Sequence, residues 1–367
     1  MAFESGSLSF RTFLLPSDLP DNAIQRFAQH AVPPLTFTLA ENTLQGWVTG
    51  RHLLDRNINE DSAMFAGSLR LTLMKAERTI PPALLRAECK MEELAEMQAK
   101  GVAYLRRNER SAIKKQVTER LLPQMPPVLT GIDWTALPDS RYLYATALSD
   151  KQLDAFCLHF RNTTGIHPEA LTPETLAAIL VKRDCRNLAP VSFSPEMDDS
   201  SAELHIGRDF LTWLWFFAEA CGGEIEVEGE NATILVEGPL SFAFEGAGAH
   251  ETVLRKGQPT ISAEAKTALL AGKKLRAAKL TIAMHDQEWK LTFDADTFAY
   301  RSVTLPKGEE VIGPEERFLD RFHAIERLRA IMTAFYQRFL NERLHETEWL
   351  AVRKTIHQWV ADRRTRT

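Results

Sequence analysis

The sequence predicts an α+β protein built on antiparallel sheets with a long helical excursion. Three observations carry that expectation. Apolar residues alternate with polar ones at period two in separate stretches, among them 68–74, 224–245 and 280–293, the pattern of strands with one buried face. Between the first of these and residue 123 the period changes, and the residues become charged helix formers. No fixed-period repeat runs through the chain, which disfavours solenoids and propellers.

In chain order, residues 8–15 and 34–39 read as strands flanking a helix at 22–30. Leu69, Leu71 and Leu73 define the strand at 68–74. After Ile80-Pro81-Pro82 a charged helix is expected to about Lys100, because proline is tolerated in a first turn. Gly101 breaks or bends it, and a second helix runs from Tyr104 to Leu122 until Pro123 stops it. A strand at 141–147 leads to a helix capped by Ser149 and ending near Phe160. Thr172 caps the next helix, with Pro173 in its first turn. The stretch 187–201, rich in proline, serine and aspartate, is the expected linker and main boundary. Beyond it come a helix at 207–221 closed by Gly222-Gly223 and a meander over 224–245 that turns at 229–231 and at Gly238-Pro239. A helix at 262–271 and strands near 280–284, 289–293 and 298–303 follow. From Pro314 the chain reads as helical, with arginines on exposed positions and a break near 344–347. The expected regions are 1–196, with its hairpin at about 80–122; a gate-like 197–313; and an Arg-rich helical extension, 314–367.

The 367 residues are 44% hydrophobic and 25% charged, which excludes a disordered or collagen-like chain. Four cysteines lie far apart, with no CxxC and no histidine at finger-like spacing, so zinc is not expected. The first residues lack the basic start and apolar run of a signal peptide, and no apolar run is long enough to span a bilayer. The expected compartment is the cytoplasm, with no membrane association and no cofactor. The net charge of -5 is unevenly spread. Lys and Arg outnumber Asp and Glu by seven to two in 100–120 and again in 251–280, whereas 200–250 carries nine acids against one base. Acidic remainders of this kind keep a protein soluble and restrict where a polyanion binds.

The common catalytic signatures, GxxxxGK[ST], GxGxxG, GxSxG and HExxH, are absent from the sequence. Asp294 and Asp296 share one face at period two and can hold a divalent metal, but they stand where aspartate is a common turn residue. Asp198-Asp199 lies in a loop-like stretch, and His205, His250, His285 and His323 have no partner at ligand spacing. No enzyme is expected.

The basic blocks say more. Arg107, Arg110 and Lys114 fall at i, i+3 and i+7, so one helix face presents a row of cations with Arg106 and Lys115 beside it. Ile113, Val117 and Leu121 form a separate apolar stripe. In the second block Arg255 and Lys256 precede a helix, and Lys273, Lys274, Arg276 and Lys279 follow it, where cations can reach phosphates. The sequence holds no helix-turn-helix, finger or RNP pattern, so binding is expected to follow the backbone with little base preference.

With both blocks in view, the chain resembles the RdgC family of recombination-associated DNA-binding proteins. The residues that carry the likeness are Gly46-Trp47-Val48, Ile80-Pro81, the charged helical pair, Leu121-Leu122-Pro123, Ile132-Asp133-Trp134, and Val253-Leu254-Arg255-Lys256-Gly257-Gln258 leading to Ala271-Gly272-Lys273. They cover most of 8–305; the helices after Pro314 lie outside the likeness. The resemblance implies horseshoe-shaped subunits that pair into a ring-shaped homodimer, whose basic hole encircles double-stranded DNA. It also implies nucleoid association, antagonism of RecA-dependent recombination, no catalytic residue, and a Lys-Gln gate carried over to Lys256 and Gln258. Where the family has a basic residue and then Phe after Leu-Leu-Pro, this chain has Gln124-Met125-Pro126-Pro127. Two other readings stand beside this one: a module that contacts a recombination protein through Arg321, Arg329 and Arg338, and a metal-dependent nuclease using Asp294 and Asp296. On the DNA-binding reading, changing Lys256, Lys273 and Lys274 to Glu is expected to abolish binding and leave the fold intact.

Overall fold

The computed structural model describes residues 3–34, 43–138, 140–182, 185, 188–199, 202, 204–244, 251–308 and 313–362. Residues 35–39 of the strand expected at 34–39, and His250, fall outside these residues, as do parts of the expected linker. Helices and antiparallel strands make up two compact units: one from 1–18, 136–157 and 167–367, the other from 19–135 and 158–166. These units cut the chain elsewhere than the regions expected from composition.

The smaller unit holds the helix α1 (Ala23–Gln29), the strand β2 (Thr43–Thr49), a short helix α2 (Glu60–Ala63) and the strands β3 (Met64–Phe65) and β4 (Ser68–Arg78). Then come the helices α3 (Pro82–Lys100) and α4 (Arg107–Leu121) and the strand β5 (Pro127–Ala136). Strand β4 lies between β2 and β5, and β2 pairs with it in antiparallel register, Trp47 opposite Leu73. The core is aromatic. Phe27, Trp47, Trp134 and Phe160 are fully buried and meet mostly edge to face, the orientation that ring quadrupoles favour. The Trp47 indole N–H donates to Thr163 Oγ1 at 2.8 Å, so its polar end is satisfied.

The larger unit opens with β1 (Leu8–Leu14) and continues with β6 (Tyr142–Ala145), α5 (Asp150–Thr164), whose last residues belong to the smaller unit, β7 (Glu169–Ala170) and α6 (Pro173–Val181). Thr172 caps α6 by accepting from the Thr175 N–H, as its sequence signature requires. Next are α7 (Ile206–Ala220), β8 (Glu224–Val227), β9 (Glu230–Ala243), β10 (Glu251–Leu254), α8 (Ala263–Leu270), β11 (Lys274–Met284), β12 (Gln287–Asp294) and β13 (Ala299–Thr304). The strands run in the order β10-β9-β11-β12-β13-β1-β6, with β7 beside β1 and β8 beside β9, and every registered pair is antiparallel. Gly238-Pro239 does not end the strand: β9 continues through it, and the ladder to β11 skips the pair in one register shift, from Ala278 opposite Leu240 to Lys279 opposite Glu237.

The C-terminal helices α9 (Pro314–Leu344) and α10 (Glu346–Ala361) break at His345, inside the expected interval. The first of them is core rather than an arginine-coated appendage. Phe318, Phe322, Ile325, Leu328, Met332, Phe335, Tyr336 and Phe339 are buried at helical spacing. Tyr336 and Phe339 meet Phe210 of α7, and the Tyr336 hydroxyl donates to Pro173 O at 2.8 Å. The expected linker is also partly interior: Val191, Phe193 and Ser194 are buried, and Ser194 Oγ donates to Leu270 O. No helix among the described residues is long and apolar enough to cross a membrane.

Candidate nucleic-acid interface

The hairpin of α3 and α4 places the first basic block. Pro82 opens α3, and Gly101 closes it in the left-handed conformation, φ 65°, with its N–H donating to carbonyls of the last turn. On the inner side Val117 and Leu121 are buried with Ile80, and Leu85, Cys89, Ile113, Leu122 and Met125 pack around them. The expected apolar stripe therefore anchors the hairpin. Met125, from the stretch after Leu121-Leu122-Pro123, fills the same cluster. Arg78 donates to Pro123 O and fastens the end of α4 to β4.

Four of the hairpin's six acids are bound by two cations. Arg120 binds Glu88 at 3.0 Å and Glu92 at 3.1 Å; Lys100 binds Glu109 at 2.8 Å and Glu96 at 2.9 Å. The hydrogen bond from Lys100, with a second from the Arg106 backbone, holds the Glu109 carboxyl below its ordinary range. Lys115 stands 3.9 Å from Glu119. Arg107, Arg110 and Lys114 remain exposed, and among the described residues no acid lies within ion-pair distance of any of them. The row read from helical spacing is thus a surface of uncompensated charge.

The second block divides. Arg255, Lys256 and Gln258 sit on an exposed bend just after β10, an edge strand. Lys256 and Gly257 there have φ of 67° and 68°. A left-handed lysine followed by glycine turns the chain sharply and holds two cations outward. Lys273 donates from Nζ to Thr252 Oγ1 at 2.5 Å. Arg276 meets Asp296 at 3.1 Å and Glu251 at 3.4 Å, and Lys279 meets Glu237 at 3.0 Å. Lys279 in turn holds the Glu237 carboxyl below its usual range.

Lys274 corrects the sequence reading outright. It is 5% exposed and pairs at 2.5 Å with Asp209 of α7, itself 1% exposed, so it cannot reach a phosphate. Burial pushes the Asp209 carboxyl up, while Lys274, Arg343 and His205 pull it down. A Lys274→Glu change would therefore put a second carboxylate beside a buried one, and the expectation that it leaves the fold intact is withdrawn.

The other candidates are also tied into the fold. Arg208 makes two parallel hydrogen bonds to Asp296, at 2.6 and 2.9 Å, and Arg301 reaches Asp294 at 3.3 Å. Gly207 lets α7 approach this turn, since a Cβ there would lie 2.0 Å from Ala295 O. Arg321 donates to Phe3 O and Gly6 O, Arg329 to Tyr144 and Glu326, and Arg338 pairs with Glu342. Sequence reasoning missed Arg86 and Lys90 on α3; their i, i+4 spacing was the available signal.

Among families of known proteins, the family model described as "RdgC: Putative exonuclease, RdgC" matches residues 21–180. That span contains the whole α3–α4 hairpin. No curated protein matches the chain.

Proposed function

Residues 21–180 of this chain belong to the RdgC family, and from that premise we propose that the protein binds double-stranded DNA without sequence preference. The observation that carries the reading is the row Arg107, Arg110 and Lys114: exposed, unmatched by acids among the described residues, and inside the matched span. Arg255 and Lys256, on their left-handed bend, supply a second exposed cationic point, with Gln258 and Lys273 beside it. Arg276 and Lys279 reach DNA by exchanging carboxylate partners for phosphates, at a cost the first row does not bear. In this reading two copies assemble as a ring-shaped homodimer around the duplex, and two-fold symmetry doubles every cationic point. Occupancy of DNA then modulates RecA-dependent recombination in the nucleoid, without membrane or cofactor.

The proposal assigns no catalytic step. Asp294 and Asp296, the pair with metal-binding spacing, are engaged by Arg301, Arg208 and Arg276, so a divalent ion would have to displace guanidinium groups. The arginines of the protein-contact alternative hold intramolecular partners, which favours the DNA reading over it.

An electrophoretic shift with two unrelated duplexes of equal length tests the proposal. At low salt both are retained with similar affinity, and binding weakens steeply as salt rises, by about 0.9 log units per phosphate contact for each tenfold in salt. Failure to retain either duplex at low salt would end the proposal.

A further inference from the structure

We infer that the groove beside α10 is a docking site for a short acidic segment of another protein, one that also carries an apolar side chain. The inference stands apart from the DNA-binding reading, and α10 lies outside residues 21–180. Helix α10 has two distinct faces. Trp349, Ile356 and Val360 are buried, whereas Leu350, Lys354, His357 and Ala361, at i, i+4, i+7 and i+11, form a separate stripe. That stripe and Pro195 enclose a groove of about 500 Å³. The wall that ends in Pro195 is fixed by the fold. Phe193 is buried and meets Trp349 edge to face, and Ser194 Oγ donates to Leu270 O at 2.7 Å. Asp199 accepts from the Ser192 N–H at 2.8 Å and from Arg353 at 2.6 Å, and His357 Nε2 lies 3.1 Å from Ser192 O. These contacts tie the segment 192–199 to α10, so the groove is formed before a ligand arrives and little ordering is left for binding to supply.

The lining selects the occupant. Among the described residues no acid lines the groove, and Arg353 and Lys354 do. Asp199 offsets the charge of Arg353 but takes one nitrogen of a guanidinium that has five N–H donors. Lys354 is exposed, and among the described residues no acid lies within ion-pair distance of it. Carboxylates complement such a lining. Leu350 supplies the second requirement, since it is 58% exposed. A single exposed leucine is ordinary on a protein surface, but this one stands one turn from Lys354 in the same groove as Pro195 and Ala361. A nucleic-acid backbone would bring charge there and no apolar side chain to cover the leucine. The length suits a peptide. At a rise of about 1.5 Å per residue, Leu350 to Ala361 spans roughly 16 Å, which about five residues of extended chain would cover at about 3.3 Å each.

Fluorescence anisotropy on the full-length protein tests the site with three fluorescein-labelled pools of short peptides. The first pool mixes Asp or Glu with two residues drawn from Leu, Ile and Phe; the second replaces those apolar residues with Ser, and the third replaces the acids with Lys. The first should bind about tenfold more tightly than either of the others at about 0.15 M salt. Lys354→Glu should weaken that binding about tenfold, and Leu350→Ser about fivefold. Both side chains are exposed, so the melting temperature of either variant should hold. If the first pool does not bind, or binds and neither variant weakens it, the groove proposal is overturned and the DNA-binding reading is untouched. If the Ser pool binds as tightly as the first, the surface answers to charge alone and the proposal is overturned. If unlabelled duplex displaces the peptides and Lys354→Glu weakens duplex binding as much as peptide binding, the groove belongs to nucleic acid and the proposal is again overturned.

Discussion

Replacing Lys274 with Ala separates the structure's account of the second basic block from a count of its charges. The change leaves Asp209 buried at 1% exposure without the ammonium that lies 2.5 Å away. Removing one partner of a buried pair costs about 3–5 kcal/mol, because the remaining charge keeps its desolvation penalty. At about 2–4 °C per kcal/mol for a unit of this size, the melting temperature should fall by roughly 10 °C. Urea denaturation followed by tryptophan fluorescence reports the change, since Trp213 and Trp215 lie on α7 with Asp209. The double variant Lys274→Met, Asp209→Leu should recover to within about 2 kcal/mol of the wild type, as apolar replacements of buried pairs commonly do. Duplex affinity, measured well below the transition, should change less than twofold in either variant. A Lys274→Ala protein as stable as the wild type but binding duplex tenfold more weakly would refute the reasoning and return Lys274 to the DNA surface.

Three further outcomes are expected. Changing Arg107, Arg110 and Lys114 together to Gln should lower the salt slope of duplex binding by about 2.7 and cost more than a hundredfold in affinity at 0.1 M salt, with the fold retained; a filter-binding salt series reads both. Burial, then Asp154, pushes the Cys157 thiol up to about 11 from 9.0, so the native state holds this proton more tightly than the unfolded chain. That contribution is full below pH 9 and is lost as pH rises toward 11, removing about 1.4 kcal/mol by pH 10; denaturation of wild type and Cys157→Ala at pH 8 and pH 10 should differ by that amount. Truncation after residue 313 should leave an insoluble or unfolded larger unit, because it strips the buried face of α9 from α7; a soluble, cooperatively melting truncated protein would show that helix to be dispensable.

Much of the hairpin was legible because its punctuation is local. Pro82, Gly101 and Pro123 mark its ends, and the cation row follows from 3.6-residue spacing alone. The partition of its acids was not legible, since Arg120 finds Glu88 and Glu92 only when the helices fold back on each other. In the second block, Lys273 and Lys274 look equivalent in sequence. Strand β11 begins at Lys274, successive strand side chains point to opposite faces, and the inward one meets a carboxylate on a helix more than sixty residues earlier. The same distance effect hid the role of α9. Its buried stripe from Phe318 to Phe339 has helical spacing in the sequence, but the arginines between suggested an exposed coat. Arg321 and Arg329 instead satisfy carbonyl, hydroxyl and carboxylate groups of neighbouring elements. At Gly238-Pro239 local turn chemistry lost to the ladder between β9 and β11.

The most direct test of the central claim is a titration of the full-length protein with a short duplex across a salt series, with light scattering recorded at each point. The account predicts retention of duplex at low salt, two chains per complex, indifference to sequence, and a log–log slope that shrinks when the α4 cations are removed. A protein that leaves the duplex free at low salt, or whose slope is unchanged without Arg107, Arg110 and Lys114, would contradict it.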